Sequence, residues 1–276
     1  MTEPVVSIPE KLKRRPDERS KGWVNRWRFE GDKSTLPTMY ELPSEDPEEL
    51  GLPDDFHYWQ PQLLRETFQP DPECVERFYV GTDINLYYDP AHTNRYKRPD
   101  WFTVLGAGRL SADHELRYSY VVWQAELAPF LVIELLSPST EEEDWGLTAQ
   151  EPGRPPGKWQ VYERYLHVPY YVVYGRVTRE VKAFRLVHGV YEPAVLNDRR
   201  GAAAAGLWLP EAGLGLGVWA GAFEGIEGQW LRFYDAQGQW CARPVEQERR
   251  KAEQERRKAE RLAERLRALG VDPDTL

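Results

Sequence analysis

An α/β fold built on a mixed sheet is what this sequence predicts, and three observations predict it. Short segments rich in β-branched and aromatic residues follow one another from 78 to 136. Between 130 and 174 the pattern changes from strand to helix and back to strand. A strongly charged, repetitive helix former closes the chain after 244.

Taken in order, residues 1–45 are rich in Pro and charge, with scattered aromatics in Gly22–Trp27, and read as a flexible arm. Its basic residues leave a nucleic-acid contact open beside the plainer reading of a solvated tail. The domain proper is expected over 46–243. Its first element is a helix within DFHYWQPQLLRETFQP, residues 55–70, starting from Pro61 as a first-turn residue, with Leu63, Leu64 and Phe68 on one face. Strands are expected at Phe78–Val80, Ile84–Tyr88, Trp101–Leu105, Ser119–Trp123 and Phe130–Leu136. The last of these is continuously apolar except for Glu134, the pattern of a strand buried on both faces.

A polar, acid-rich loop occupies 137–157, and within it Glu141–Asp144 reads as solvated. Lys158–His167 reads as a helix with Trp159, Tyr162 and Leu166 on one stripe, ended by Pro169. Tyr170–Tyr174 is a second buried strand, and the strand–helix–strand order argues for a parallel pair with a right-handed crossover. From 181 to 240 short strands and turns are expected, with hairpin signals at Glu224–Gly228 and Asp235–Gly238. EQERRKA occurs twice, at 246–252 and 253–259, inside a charged C-terminal helix over 244–276. Its heptad seam is poor, which favours a single helix over a dimeric coiled coil.

Composition limits the function classes. The 276 residues are 41% hydrophobic, enough for a sizeable core. No run of eighteen apolar residues occurs, and the first twenty residues lack the apolar core of a signal peptide. No membrane association and a cytoplasmic location are the expectation. Cys74 and Cys241 are expected to be reduced structural thiols. The five His residues show no HExxH or paired spacing, and neither a GxGxxG junction nor a GxxxxGK[ST] loop is present. Zinc, dinucleotide and P-loop chemistry drop out. The net charge is −9; residues 1–28 contribute +4 and 246–276 +1, which leaves −14 on 29–245. That balance is awkward for a nucleic-acid binder, whose phosphate affinity comes from Lys and Arg.

Three residues carry the candidate chemistry. A carboxylate such as Glu134 in a buried apolar strand costs several kcal/mol unless it is paired or metal-bound. A structural ion pair is the plain alternative. Asp100, in Arg98-Pro99-Asp100-Trp101, stands at the entry of another strand, where turn chemistry alone would also explain it. Two carboxylates on adjacent strands can share one hard cation such as Mg²⁺, and such a cation polarises a phosphoryl oxygen. Lys158 opens the helix after the Glu134 strand, an end of a helix that disfavours cations, and could neutralise charge on a phosphate. Tyr162, one turn on, is a candidate to brace that ammonium, or a core residue.

PD at 99–100, VIELLSPST at 132–140 and KWQVYERYLHVPYYVVY at 158–174 resemble the Uma-two family of restriction endonucleases, within the PD-(D/E)XK nuclease superfamily. The resemblance covers about residues 45–240 and extends to the charged helical tail. It implies a restriction-endonuclease-like core, with β-hairpins and the C-terminal helix added. It implies Asp100 and Glu134 as ligands of Mg²⁺ or Mn²⁺, with the backbone carbonyl of Leu135 as a third. The usual Lys, two residues after the acid, is Leu136 here, and the resemblance moves that role to Lys158. Glu66 on the first helix, otherwise a residue of a solvated helix face, and Asp83 in GTDINLYYD, equally readable as a turn or cap residue, are further acidic candidates. Ser137-Pro138-Ser139-Thr140 is read as shaping the exit of the strand.

The expected function is Mg²⁺-dependent DNA endonuclease activity, with DNA as partner and a homodimer compatible with cutting both strands. The alternative is a catalytically silent nuclease-fold binding or assembly protein that engages a partner through its C-terminal helix. Hydrolysis of RNA or a nucleotide is a third, more remote reading.

Overall fold

The computed structural model describes residues 23–38, 41–42, 55–136, 144–147, 155–176, 178–196 and 206–268. The Ser137–Thr140 turn, Glu141–Glu143, the first 22 residues and the last eight therefore lie outside the described residues. The chain forms two compact units. One comprises the residues up to Glu49 with Pro70–Val173 and Lys182–Ala194; the other comprises Leu50–Gln69, Tyr174–Val181 and Val195–Leu276.

The first unit carries most of a six-stranded sheet. Its strands are β1 (Phe78–Gly81), β4 (Trp101–Leu105), β6 (Leu131–Leu135), β7 (Tyr170–Tyr174), β8 (Val181–Val187) and β9 (Val190–Pro193), side by side in that order. β1 with β4, β4 with β6 and β8 with β9 are antiparallel. Tyr170 N–H donates to the Phe130 carbonyl at 3.2 Å. β6 and β7 thus begin side by side, as a helical crossover requires. All five residues of β4, of β6 and of β7 are buried, which is why these segments read as near-continuous apolar runs, broken only by Thr103 in β4 and Glu134 in β6.

A small second sheet, β3 (Tyr96–Lys97), β2 (Leu86–Tyr87) and β5 (Tyr120–Val121), lies in the same unit. The expected strand at Ser119–Trp123 stops at Val121. The chain then turns into a short helix, α2 (Val122–Ala125), closed by Glu126 at φ 58°. Trp123 shows why: its indole N–H donates to the Pro37 carbonyl at 2.9 Å and its ring meets Trp27 and Tyr87, a placement that a continued strand would forgo. The same contacts tie down residues 23–38 of the expected arm. Asn25 Nδ2 donates to Pro129 O at 2.7 Å, and Trp23 packs edge-on against Phe130.

The helix after the loop begins as expected at Lys158. It comprises α3 (Lys158–Gln160) and then a wide π turn at Val161–Tyr165. Leu166 N–H reaches back five residues to the Val161 carbonyl at 3.0 Å. The wider turn buries Val161, Tyr162 and Glu163 in succession, which a regular helix face does not allow.

In the second unit α1 (Asp55–Thr67) packs on the sheet β10 (Gly206–Leu209), β11 (Leu214–Phe223) and β12 (Ile226–Tyr234). Pro61 lies inside α1 and not at its start. Burial of Phe56, His57 and Gln60 before it extends the helix upstream. The Gln60 amide also exchanges two hydrogen bonds with the Leu231 backbone, at 2.9 and 2.8 Å. β11 and β12 are longer than the short strands expected. Gly215 and Gly221 dilute the strand signal in LGLGVWAGAF, yet they make room for the Tyr234 and Trp219 rings. Both expected hairpin signals form turns, at Glu224–Gly225 and Asp235–Gly238.

α4 (Pro244–Ala268) is a single helix with no buried residue, laced by pairs such as Arg249–Glu253 and Arg256–Glu260. Its start is anchored: Arg232 is 3% exposed and donates to Cys241 O and Glu246 Oε2. Among the described residues no helix is long and apolar enough to cross a membrane.

Candidate active site

The register of the central sheet brings the two acids together. Trp101 on β4 lies opposite Ile133 on β6. One step further sets Asp100 opposite Glu134, and directly opposed residues of an antiparallel pair project to the same face. Asp100 N–H donates to Glu134 Oε2 at 3.2 Å, and Leu135 N–H donates to Asp100 Oδ2 at 2.6 Å. Glu134 is fully buried, whereas Asp100 keeps partial exposure.

Lys158 joins them from the first turn of α3. Its Nζ lies 3.3 Å from Glu134 Oε2 and 2.9 Å from Asp144 Oδ1. The Tyr162 hydroxyl donates to Glu134 Oε1 at 2.7 Å, so this tyrosine braces the acid and not the ammonium, from a fully buried position in the core. Lys158 and Tyr162 hold the two oxygens of one carboxylate from successive turns of one helical segment.

Three carboxylates surround one ammonium, and their protonation reflects it. Burial pushes Glu134 up to about 7; Lys158 opposes the shift and Asp100 adds to it. Burial likewise raises Asp100 to about 6, against the pull of Lys158 and of the Leu135 N–H. Burial alone would lower Lys158, but Glu134, Asp144 and Asp100 outweigh it and raise the ammonium above its ordinary value. The lysine therefore stays charged at neutral pH, while Asp100 and Glu134 titrate close to it.

Asp100, Glu134 and Lys158, the three residues singled out from sequence, thus meet. Leu135 follows Glu134 on β6 and is 1% exposed. Leu136, where the usual lysine would stand, packs against the apolar core. The other two acidic candidates are engaged elsewhere. Asp83 sits in a turn at φ 46° and pairs with Arg98 at 3.0 Å; Glu66 pairs with Arg243 at 3.4 Å in the second unit.

Sequence reasoning missed Asp144. It was read as the end of a solvated acidic run, and it is fully buried against Lys158. The available signal was Trp145-Gly146 directly after it, an aromatic and a glycine inside an otherwise polar loop. Among the described residues no three His, Cys, Asp or Glu side chains stand as a ready-made metal cage. A cation here would rest on two carboxylates, a main-chain oxygen and water. That all-oxygen, partly hydrated set is the kind Mg²⁺ prefers, and the surplus of buried negative charge suits it.

The chain matches none of the curated proteins. The model of the Uma2 family, described as "Putative restriction endonuclease", matches residues 34–216. That stretch takes in Asp100, Glu134, Asp144 and Lys158. On that match, which spans well over half of its length, the chain belongs to the Uma2 family.

Proposed function

We propose that the chain is a metal-dependent endonuclease of the PD-(D/E)XK type that hydrolyses DNA phosphodiester bonds at the Asp100–Glu134–Lys158 cluster. One observation carries this reading. Two carboxylates from adjacent strands converge at a partly exposed point, with a largely enclosed ammonium 3.3 Å from one of them. Asp100 and Glu134, helped by the Leu135 carbonyl, would hold Mg²⁺ or Mn²⁺. The bound cation supplies Lewis-acid polarisation of a phosphoryl oxygen and a water of lowered pKa. Lys158 contributes a fixed positive charge where negative charge grows on the scissile phosphate. Tyr162 fixes the Glu134 rotamer, leaving Oε2 turned towards Asp100 and Lys158.

The test is a plasmid-nicking assay with purified full-length chain and Mg²⁺ or Mn²⁺. Nicking is expected with the wild type and lost in Asp100→Ala and Glu134→Ala. Nicking that survives Glu134→Ala would refute the assignment.

The −14 carried by residues 29–245 favours a second reading. In it the fold is catalytically silent and α4 engages a partner. Calorimetry separates the two, because metal binding without DNA affinity at low salt is the signature of the silent protein.

A further inference from the structure

The nuclease reading leaves one buried charge unassigned. Asp144 is fully buried, and its Oδ1 is the nearer of the two carboxylate oxygens paired with Lys158, at 2.9 Å against 3.3 Å for Glu134. Burying a third carboxylate is unfavourable by several kcal/mol, so chance collapse of the segment does not explain it. The chain also fastens the segment that carries it. The Tyr171 hydroxyl donates to the Asp144 carbonyl at 2.9 Å. The Lys182 ammonium lies 4.3 Å above the Trp145 ring. Gly146 adopts φ +66° hard against Trp159, where a Cβ would come within 2.8 Å of the indole. Three independent devices on Asp144, Trp145 and Gly146 fix the aspartate against the lysine.

We infer that Asp144 is a positioning residue: it anchors the Lys158 ammonium over the Glu134 carboxylate and holds it there when Glu134 is engaged elsewhere. Glu134 has two claims on it, the ammonium and the cation of the proposed reaction. Asp144 is not one of the two acids assigned to that cation, and its Oδ1 pairs with the lysine at 2.9 Å. This role rests on the nuclease reading for its catalytic consequence, but the anchoring itself does not.

The anchoring is tested on the full chain labelled with ¹⁵N-lysine. Ammonium protons give a cross-peak only when they are held and shielded from exchange. The Lys158 peak, assigned by its absence in Lys158→Met, is expected in the wild type and in Glu134→Gln and is lost in Asp144→Asn. A peak that persists in Asp144→Asn, or disappears in Glu134→Gln, overturns the inference.

In the cleavage assay Asp144→Asn lowers kcat on the order of ten- to hundredfold, while KM for DNA and Mn²⁺ affinity stay within about threefold of wild type. Loss of Mn²⁺ binding as severe as that of Asp100→Asn would make Asp144 a ligand and also overturns it. If the wild type cuts no DNA, the nuclease reading fails and the ammonium signal still decides the anchoring. Should Asp144→Asn not fold, the double variant with Lys158→Met is decisive. Removing both partners of a buried pair is tolerated better than removing one, so the double variant folds, and it is no less active than Lys158→Met alone. A double variant that fails as Asp144→Asn does refutes the coupling.

Discussion

Replacing Lys158 by methionine keeps most of the side-chain volume and removes a charge that bridges two fully buried carboxylates. The lysine is 13% exposed and its partners, Glu134 and Asp144, are not exposed at all. Breaking a buried pair from one side costs about 3–5 kcal/mol, because a charge is left without compensation. Here two charges are left, so the upper part of that range, about 4–5 kcal/mol, is expected at pH 8. The loss depends on pH in a definite direction. Lys158 is the strongest influence that holds Glu134 and Asp100 down. Without it both acids rise further and accept protons readily. At pH 5 they are neutral, so Glu134 no longer adds to the penalty and the deficit falls to that of one uncompensated partner, about 3 kcal/mol. Urea denaturation of wild type and variant at the two pH values measures both numbers. A deficit below about 1 kcal/mol at pH 8, or an equal deficit at both, would show that the ammonium is not the counter-charge argued for.

In the wild type without metal, Asp100 and Glu134 have folded pKa values of about 6 and about 7 against ordinary values of 3.8 and 4.5. The folded chain therefore binds more protons than the unfolded one between pH 4 and 7. Its stability falls as pH rises through that window and levels off above it, which thermal melts across the range will read. A divalent cation must displace the same protons, so Mn²⁺ affinity by calorimetry is expected to rise from pH 5 to pH 8; a flat profile would place the cation elsewhere. Gly146→Ala forces a side chain into φ +66° and against Trp159, and should lower stability by about 1–3 kcal/mol in chemical denaturation while reducing nicking through the displaced Asp144. Gln60→Leu leaves the Leu231 N–H and carbonyl without their buried partner, for a loss of about 2–4 kcal/mol and faster amide exchange at Leu231.

What was legible in the sequence follows from what each pattern encodes. Trp101–Leu105, Phe130–Leu136 and Tyr170–Tyr174 are apolar but for Thr103 and Glu134, and a strand buried on both faces leaves that mark. β4 and β7 appear at the expected bounds, and β6 loses one residue at each end. Glu134 was visible because it interrupts such a run. Asp100 was not visible alone, since an aspartate before a strand has an ordinary explanation; only the β4–β6 register makes it the cross-strand partner of Glu134. Asp144 was hard to read for a different reason. Its burial depends on Tyr171, Lys182 and Trp159, 15 to 38 positions away, and the local Trp145-Gly146 signal names none of those partners. Pro61 misled because local propensity puts proline at a helix start, whereas packing of Phe56, His57 and Gln60 extends α1 before it. The π turn at Val161–Tyr165 has no sequence signature of its own; it follows from the need to bury three consecutive residues.

A purely structural role for the charged cluster would carry an energetic cost. Glu134 and Lys158 alone would make a neutral buried pair, and even such pairs are often matched or bettered by apolar residues of similar volume. The chain adds Asp100 and Asp144, which leaves two negative charges in excess around the ammonium. Burial then raises Asp100 and Glu134 toward neutrality, so at pH 7 the cluster holds its charge against a cost. One divalent cation carries the charge that would remove the excess. The same cation would offset only a small part of the −14 on residues 29–245, which repels a phosphate backbone, but it would do so at the point where the phosphate docks. DNA affinity should therefore depend on Mg²⁺ more steeply than screening alone provides. Ca²⁺, which suits oxygen ligands but activates water less well, should support binding of the duplex without its cleavage.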